Sequence, residues 1–250
     1  MMKITFLGTA AGMPDHDRHC SSTMIEVGER IYLVDAGAPM VDALRQHFVD
    51  PSRIKAFFNT HGHSDHTVGL IHLLDVSMWF YRKVTDYDFY LTEQTVADSV
   101  MQCVSAMEEG NPFPTERLRP HIATAGVVYD DGVVRVTYIP TRHCEPHPSY
   151  AIVFEAEGKR IVFSGDLSKN LEKKDFPTVV CEEESELFVC EMAHFTPEHL
   201  APYLANCRAR RVMINHFCPP ERIGETAALA ARESYPFPIR FARDNDEIEL

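Results

Sequence analysis

The stretch FFNTHGHSDHTVGL, residues 57–70, decides how this chain is read. Three histidines and an aspartate, His61, His63, Asp65 and His66, fall within six positions. An apolar run, Ile54 to Phe58, leads into them as a buried strand, and an apolar pattern of helical period follows. In an extended segment the His-x-His pair shares one face. Asp65 and His66 then turn towards a second position. Neutral imidazoles with a few carboxylates suit zinc, manganese or iron.

Working outward, 250 residues with 45% hydrophobic content suit one large domain, read here as a single domain over 1–250. The charge balance, 24 Lys plus Arg against 37 Asp plus Glu, gives a formal net charge of −13. That balance argues against nucleic acid and anionic membranes as partners, because phosphate affinity needs clustered cations. It leaves a phosphate substrate open, since bound divalent cations invert the local field. MMKITFLGTAAG has no adequate apolar core for a signal peptide, and no 18-residue apolar run exists. Seven cysteines without a C-x-x-C pair read as free thiols, so the expected location is cytoplasmic.

Strand patterns run through MKITFLGT, the hairpin Thr23–Val27 and Ile31–Asp35, and IKAFFNT. Helical patterns cover 39–48, 67–81 and 93–109, the last with Thr92 as N-cap. The second half repeats the style. GVVYDDGVVRVTYIP and YAIVFEAEGKRIVFSGD read as hairpins with Asp-Gly and Glu-Gly turns, and ELFVCEM and RRVMINHF as strands. TPEHLAPYLANC opens a helix on Thr and Pro, and 221–235 is a last helical pattern. Short strands close the chain in PIRFARDNDEIEL. Strands then helices, twice over, imply an α+β fold, a four-layer αββα sandwich of two mixed sheets.

Ligand-type residues recur just past the C-terminal ends of these strands. Asp35 ends RIYLV, His143 follows VRVTYIPTR, Asp166 follows RIVFSG and His216 follows RVMIN. With the 61–66 cluster they make five histidines and two aspartates besides Asp35. That is too many for one tetrahedral zinc and suits two ions bridged by a carboxylate. His16, His19, His47, His72, His121, His147 and His199 read as ordinary solvated or hydrogen-bonded side chains. Cys144 and Cys218 adjoin ligand positions and read first as structural thiols.

At this point THGHSDH resembles the H-x-H-x-D-H signature of the metallo-β-lactamase superfamily, and the order His143, Asp166 within SGD, then His216 follows it. FLGTAAGMPDHDRHCSS, VDAG and SGDLS are similar to motifs of the ribonuclease Z-like phosphodiesterase branch. His194 in AHFT precedes His216 in HFC by one helix and one strand, so it resembles that branch's auxiliary catalytic histidine. The branch's Gly-rich basic arm, which grips transfer RNA, has no counterpart here, and HFCPPE replaces the usual HFSPRY.

The resemblance implies two divalent ions, Zn, Mn or Fe. His61, His63 and His143 hold the first, Asp65, His66 and His216 the second, and Asp166 bridges. Asp65 and His194 are the implied catalytic residues, and Asp35 the anchor of a ligand histidine. The implied activity is hydrolysis of a small or cyclic phosphodiester through metal-activated water. The alternatives are a thioester or lactone hydrolase of the glyoxalase II type, a tRNA 3′-end endonuclease, and a non-catalytic metal-binding protein. A homodimer is implied too, with Leu73–Tyr81 read as core helix or as dimer surface.

Overall fold

The computed structural model describes residues 1–250, and the chain divides into two compact units. The first comprises Met1–Ala123 with Asp244–Glu249; the second comprises Thr124–Arg243 with Leu250.

The first unit carries strands β1 (Met2–Gly8), β2 (Ser22–Val27), β3 (Arg30–Ala36), β4 (Ile54–Phe58), β5 (Tyr87–Leu91), β6 (Leu118–Ile122) and β14 (Glu247–Glu249). They form one sheet in the order β14-β1-β2-β3-β4-β5-β6. From β14 to β3 the neighbours are antiparallel; from β3 to β6 they are parallel. Parallel neighbours need crossovers, and α1 (Met40–Gln46), α2 (Ser64–Met78) and α3 (Gln94–Met107) supply them. Leu33, Phe57 and Phe89 of the strands pack in one cluster with Leu44, Leu70, Leu74 and Val104 of the helices. Each such side chain contributes roughly 1.5–3 kcal/mol when fully buried.

Close backbone approaches explain two glycine positions. A Cβ on Gly69 of α2 would stand 2.7 Å from the Gly37 carbonyl oxygen and 2.8 Å from that of Ala36. A Cβ on Gly37 would stand 2.3 Å from the Cys20 carbonyl carbon. Helix α2 therefore sits hard against the end of β3, which carries Asp35 to the root of the metal-donor stretch.

The second unit carries β7 (Gly126–Asp130), β8 (Val134–Thr141), β9 (Ser149–Ala156), β10 (Lys159–Phe163), β11 (Leu187–Met192), β12 (Val212–Phe217) and β13 (Ile239–Phe241). Its sheet runs β13-β12-β11-β10-β9-β8-β7. Strands β10 to β13 are parallel neighbours, and β7 to β10 antiparallel ones. Strands β8, β10, β11 and β12 consequently point the same way, and their C-terminal ends share one edge of the sheet. Helices α4 (Val179–Glu182), α5 (Pro197–Leu204) and α6 (Arg222–Glu233) complete the unit. Phe188, Ile214, Phe195, Leu200 and Leu204 belong to its core. Helix α5 starts as its sequence suggests, with Pro197 in the first turn and a reciprocal Thr196–His199 capping box.

Two mixed sheets with six helices are the fold class expected from the sequence. Several details differ. Strands β5 and β6 were not anticipated: Asp88, Arg119 and His121 interrupt their apolar pattern, and these side chains satisfy one another across the strand pair. Helix α2 begins at Ser64 rather than at residue 67, which puts Asp65 in its first turn, where the helix dipole favours a carboxylate. Glu93, not Thr92, occupies the N-cap position of α3, with no side-chain cap bond. The 73–81 segment is divided: Leu73, Leu74 and Val76 are core, while Trp79 and Phe80 are 54% and 75% exposed. The last two strands belong to different sheets, β13 to the second and β14 to the first. No helix is long and apolar enough to cross a membrane.

Candidate metal centre

In the first unit, His61, His63, Asp65 and His66 stand between the end of β4 and the first turn of α2. Asp35, at the end of β3, organises them from below. It is 4% exposed and takes φ 57°, a left-handed conformation that an Asp tolerates better than most residues. Its carboxylate accepts from the Thr60 N–H at 2.7 Å, the Thr60 hydroxyl at 2.8 Å, Asn59 Nδ2 at 3.2 Å and His66 Nδ1 at 2.7 Å. Four donors stabilise a buried charge that no cation neutralises.

These bonds also fix the ring tautomers. A carboxylate partner requires His66 Nδ1 to carry the proton, leaving the lone pair on Nε2. The Thr60 hydroxyl gives its proton to Asp35, so it accepts from His61 Nδ1 at 3.0 Å. The His61 lone pair is then on Nε2, 3.1 Å from His63 Nδ1. Asp65 Oδ2 lies 3.4 Å from His66 Nε2. Loop residue Gly12 closes on this carboxylate: a Cβ there would be 3.4 Å from Asp65 Oδ2. Nearby, burial and the Asp65 carboxylate push the Cys20 thiol up, only partly offset by His66, so this sulfur stays protonated at neutral pH.

In the second unit, His143, Asp166, His194 and His216 follow β8, β10 and β11 or end β12, at the shared edge. The donor atoms of His143, Asp166 and His194 lie within 4.8 Å of one another, as do those of Glu191, His194 and His216. Asp166 is central: its Oδ2 is 3.7 Å from His143 Nε2 and its Oδ1 is 3.4 Å from His216 Nδ1. His143 Nδ1 donates to the Leu167 carbonyl at 3.0 Å, which leaves Nε2 as the acceptor atom. His216 takes φ 46°, strained backbone of the kind that clusters at functional sites.

The donor chemistry fits a divalent cation in both units. Ligand atoms about 2.1 Å from one ion stand about 3.4 Å apart at tetrahedral angles, which the 3.1–3.7 Å separations approach. The donor set is imidazole nitrogens and carboxylate oxygens, with no lysine or arginine among them.

Two buried carboxylates outside the sequence reading hold the second group. Glu191, 3% exposed, accepts from the backbone N–H groups of Leu167 at 2.8 Å, Ala193 at 2.7 Å and His194 at 3.1 Å. It also accepts from His194 Nδ1 at 2.9 Å. Asp175, 7% exposed, accepts from Ser168 N at 2.9 Å, Ser168 Oγ at 2.6 Å and Arg142 N at 3.0 Å. It thereby ties the loop bearing Asp166 to the loop bearing His143. A sequence signal existed for Glu191: a carboxylate inside the apolar strand LFVCEM must have buried partners. Asp175 sits in KKDFP and carries no such signal. Of the remaining sequence candidates, Cys218 and His147 are exposed, and His147 N–H donates to the Cys144 carbonyl at 2.8 Å. All seven cysteines are free.

Comparison with known proteins adds three kinds of likeness. A protein-family profile described as "Anti-Pycsar protein Apyc1" matches residues 2–218. The ribonuclease Z of Mycolicibacterium paratuberculosis is 24% identical over 265 residues, covering 93% of each chain. Among solved structures, the metallo-β-lactamase fold protein YhfI from Bacillus subtilis superposes with a TM-score of 0.77 at 16% identity, covering all of both chains. The short form of human tRNase Z gives 0.73 at 20% identity over 99% of both.

Proposed function

This chain belongs to the Anti-Pycsar protein Apyc1 family and is a metal-dependent hydrolase of the metallo-β-lactamase fold, and on that premise we propose that it hydrolyses a small or cyclic phosphodiester such as a cyclic nucleotide. In this reading His61, His63, Asp65 and His66 of the first unit and His143, Asp166 and His216 of the second would hold the divalent cations. The support is the family's ligand order together with the donor chemistry of each unit. Bound there, the cations would supply Lewis-acid activation of a water and neutralise charge growing on the phosphoryl oxygens.

The chain's own residues do the rest. Asp65 orients the attacking water and accepts its proton. The P–O bond to the leaving alkoxide breaks as the water oxygen bonds to phosphorus. His194 gives the leaving oxygen its proton from Nε2, because Nδ1–H is committed to Glu191. Glu191 fixes the ring's orientation and stabilises the imidazolium form.

The observation that carries the phosphodiesterase reading over a thioester hydrolase is this His194–Glu191 pair at 2.9 Å, and the substrate comparison separates it from a lactonase, whose leaving group is also an alkoxide. A thiolate leaving group needs no proton from a positioned imidazole, whereas an alkoxide does. The test is hydrolysis of bis-p-nitrophenyl phosphate and of cyclic nucleotides by protein loaded with manganese or zinc. A lactone, a glutathione thioester and a tRNA precursor serve as comparison substrates. We expect phosphodiester turnover, and His194→Ala to lower kcat on a cyclic nucleotide by about 10²–10⁴-fold with metal content intact, and to lower it less on bis-p-nitrophenyl phosphate, whose nitrophenolate leaves without a proton. Turnover of the thioester or lactone alone would overturn the reading, and loss of metal in the variant would make His194 structural.

A further inference from the structure

We infer that the loop Ser168–Asp175 is an anion-recognition element, in which Lys169 and Lys174 select and steer a negatively charged phosphodiester towards His194. The inference rests on the phosphodiesterase reading and names the residues that give it substrate class.

The loop SKNLEKKD follows Asp166 and Leu167 directly. It is tied to the catalytic end of the sheet at several points. Asp175 accepts from both the amide and the hydroxyl of Ser168, and the Asn170 N–H donates to the His194 carbonyl at 2.9 Å. Leu171 is buried in the core of the unit. Three non-glycine residues out of five, Asn170, Leu171 and Lys174, take left-handed φ of 54°. Such backbone persists only where its surroundings over-determine it, and it concentrates at functional sites. A short loop under that strain is a rigid presenter of whatever it carries.

What it carries is mainly positive charge, beside one exposed carboxylate, Glu172, which accepts from Asn170 Nδ2 at 3.2 Å. Lys169, Lys173 and Lys174 fall within six residues of a chain whose net charge is −13. Lys173 is committed internally, donating to the Arg142 carbonyl at 3.0 Å and pairing with Glu145 at 3.4 Å. Lys169 and Lys174 are exposed, and neither ammonium has an ion-pair partner. Arg142, whose amide shares the Asp175 carboxylate with Ser168, is also exposed with its guanidinium unpaired. In an acidic protein, unpaired cations fixed around one loop make a local field that attracts an anion against the overall charge. The neighbours of the loop are His143, Asp166 and His194, so the anion is drawn to where the reacting phosphoryl group must sit. A neutral lactone gains nothing from this field.

The test compares wild type with the double variant Lys169→Gln and Lys174→Gln, which keeps the polar stems and removes both charges. Lys83→Gln is the control. It removes one exposed, unpaired charge beyond the far end of α2, a 15-residue helix about 22 Å long. On bis-p-nitrophenyl phosphate at low salt, the double variant should raise KM about 10-fold with kcat within about twofold of wild type. Its kcat/KM should lose the salt dependence that wild type shows, and Lys169→Arg with Lys174→Arg should restore both. A titration of inorganic phosphate into the metal-loaded proteins by calorimetry gives the same ranking without turnover. Wild-type KM, salt slope and phosphate affinity in the double variant would overturn the inference while leaving the phosphodiesterase reading standing. Phosphate binding that depends on the lysines, in a protein that hydrolyses no phosphodiester, would do the reverse. A wild type that neither hydrolyses phosphodiesters nor binds phosphate would sink both.

Discussion

The two metal-donor groups solve one problem in opposite ways. In the first unit all four donors come from a single stretch, 61–66, and one buried carboxylate, Asp35, organises it through Thr60, Asn59 and His66. In the second unit each donor belongs to a different strand or strand end. Two buried carboxylates, Glu191 and Asp175, join the separate loops into one surface. In neither unit does a lysine or arginine pair with these carboxylates; backbone N–H groups, hydroxyls, imidazoles and the Asn59 side-chain amide donate to them. A carboxylate held by neutral donors keeps its charge available to the rings it orients, and raises the basicity of the ligand nitrogen on the far side. The difference teaches that the first group stands or falls as one piece, whereas the second can be loosened one strand at a time.

The largest expected effect tests that one-piece character. Asp35→Ala leaves several buried donors unsatisfied at about 1–3 kcal/mol each. It should cost about 3–5 kcal/mol in urea unfolding and lower metal affinity by about 10–100-fold. A loss under 1 kcal/mol with normal metal binding would show that Asp35 is not the organiser. The second unit should respond more selectively. Glu191→Gln replaces the acceptor of His194 Nδ1 with a group of nearly the same shape. It should lower kcat about 10–100-fold while one equivalent or more of metal is retained, read by metal analysis beside turnover. Equal loss of both would erase the contrast between the units.

The smallest effect concerns a carboxylate of the opposite kind. Asp88 of β5 is ion-paired: Arg119 meets it at 3.0 and 3.1 Å, and His121 Nε2 lies 2.6 Å away. Burial opposes its ionisation, but the Arg119 and His121 bonds outweigh it and hold its pKa below the ordinary value. A folded-state pKa below the unfolded one gives stability that is full above about pH 3.9 and is lost as pH falls through the lower folded value. Asp88→Asn should therefore lower stability modestly and evenly at neutral pH and flatten the acid limb, so that the difference from wild type closes as pH falls below about 4. An unchanged acid limb would show that the pair contributes nothing measurable, as many exposed pairs do.

The same contrast explains what was legible in the sequence. The stretch 57–70 announces itself because its ligands are neighbours in the chain, and period-two apolar runs located most strands. His143, Asp166 and His216 were legible as the residues that follow such runs. Strands β5 and β6 were not, because their polar residues are satisfied only by each other across the pair. Asp175 was not, because a carboxylate beside two lysines in KKDFP reads as a solvated loop. Its burial depends on Ser168 and the Arg142 amide, which the sequence places seven and 33 positions away.

By itself the sequence determined the residue chemistry: seven candidate metal-donor side chains at strand ends, a candidate proton donor in His194, and an acidic composition. Local periodicity and ligand spacing carry that information because they act over a few residues. Only the tertiary structure decided which ring nitrogen of His61, His66 and His143 is engaged by Thr60, Asp35 and the Leu167 carbonyl. It also decided that Glu191 commits His194 Nδ1, and that the loop carrying Lys169 and Lys174 is tied to the His194 carbonyl through the Asn170 N–H. Those outcomes depend on which donor meets which acceptor in the folded chain, across 31 positions for His66 and Asp35 and 24 for His143 and Leu167, and there geometry, not residue type, decides.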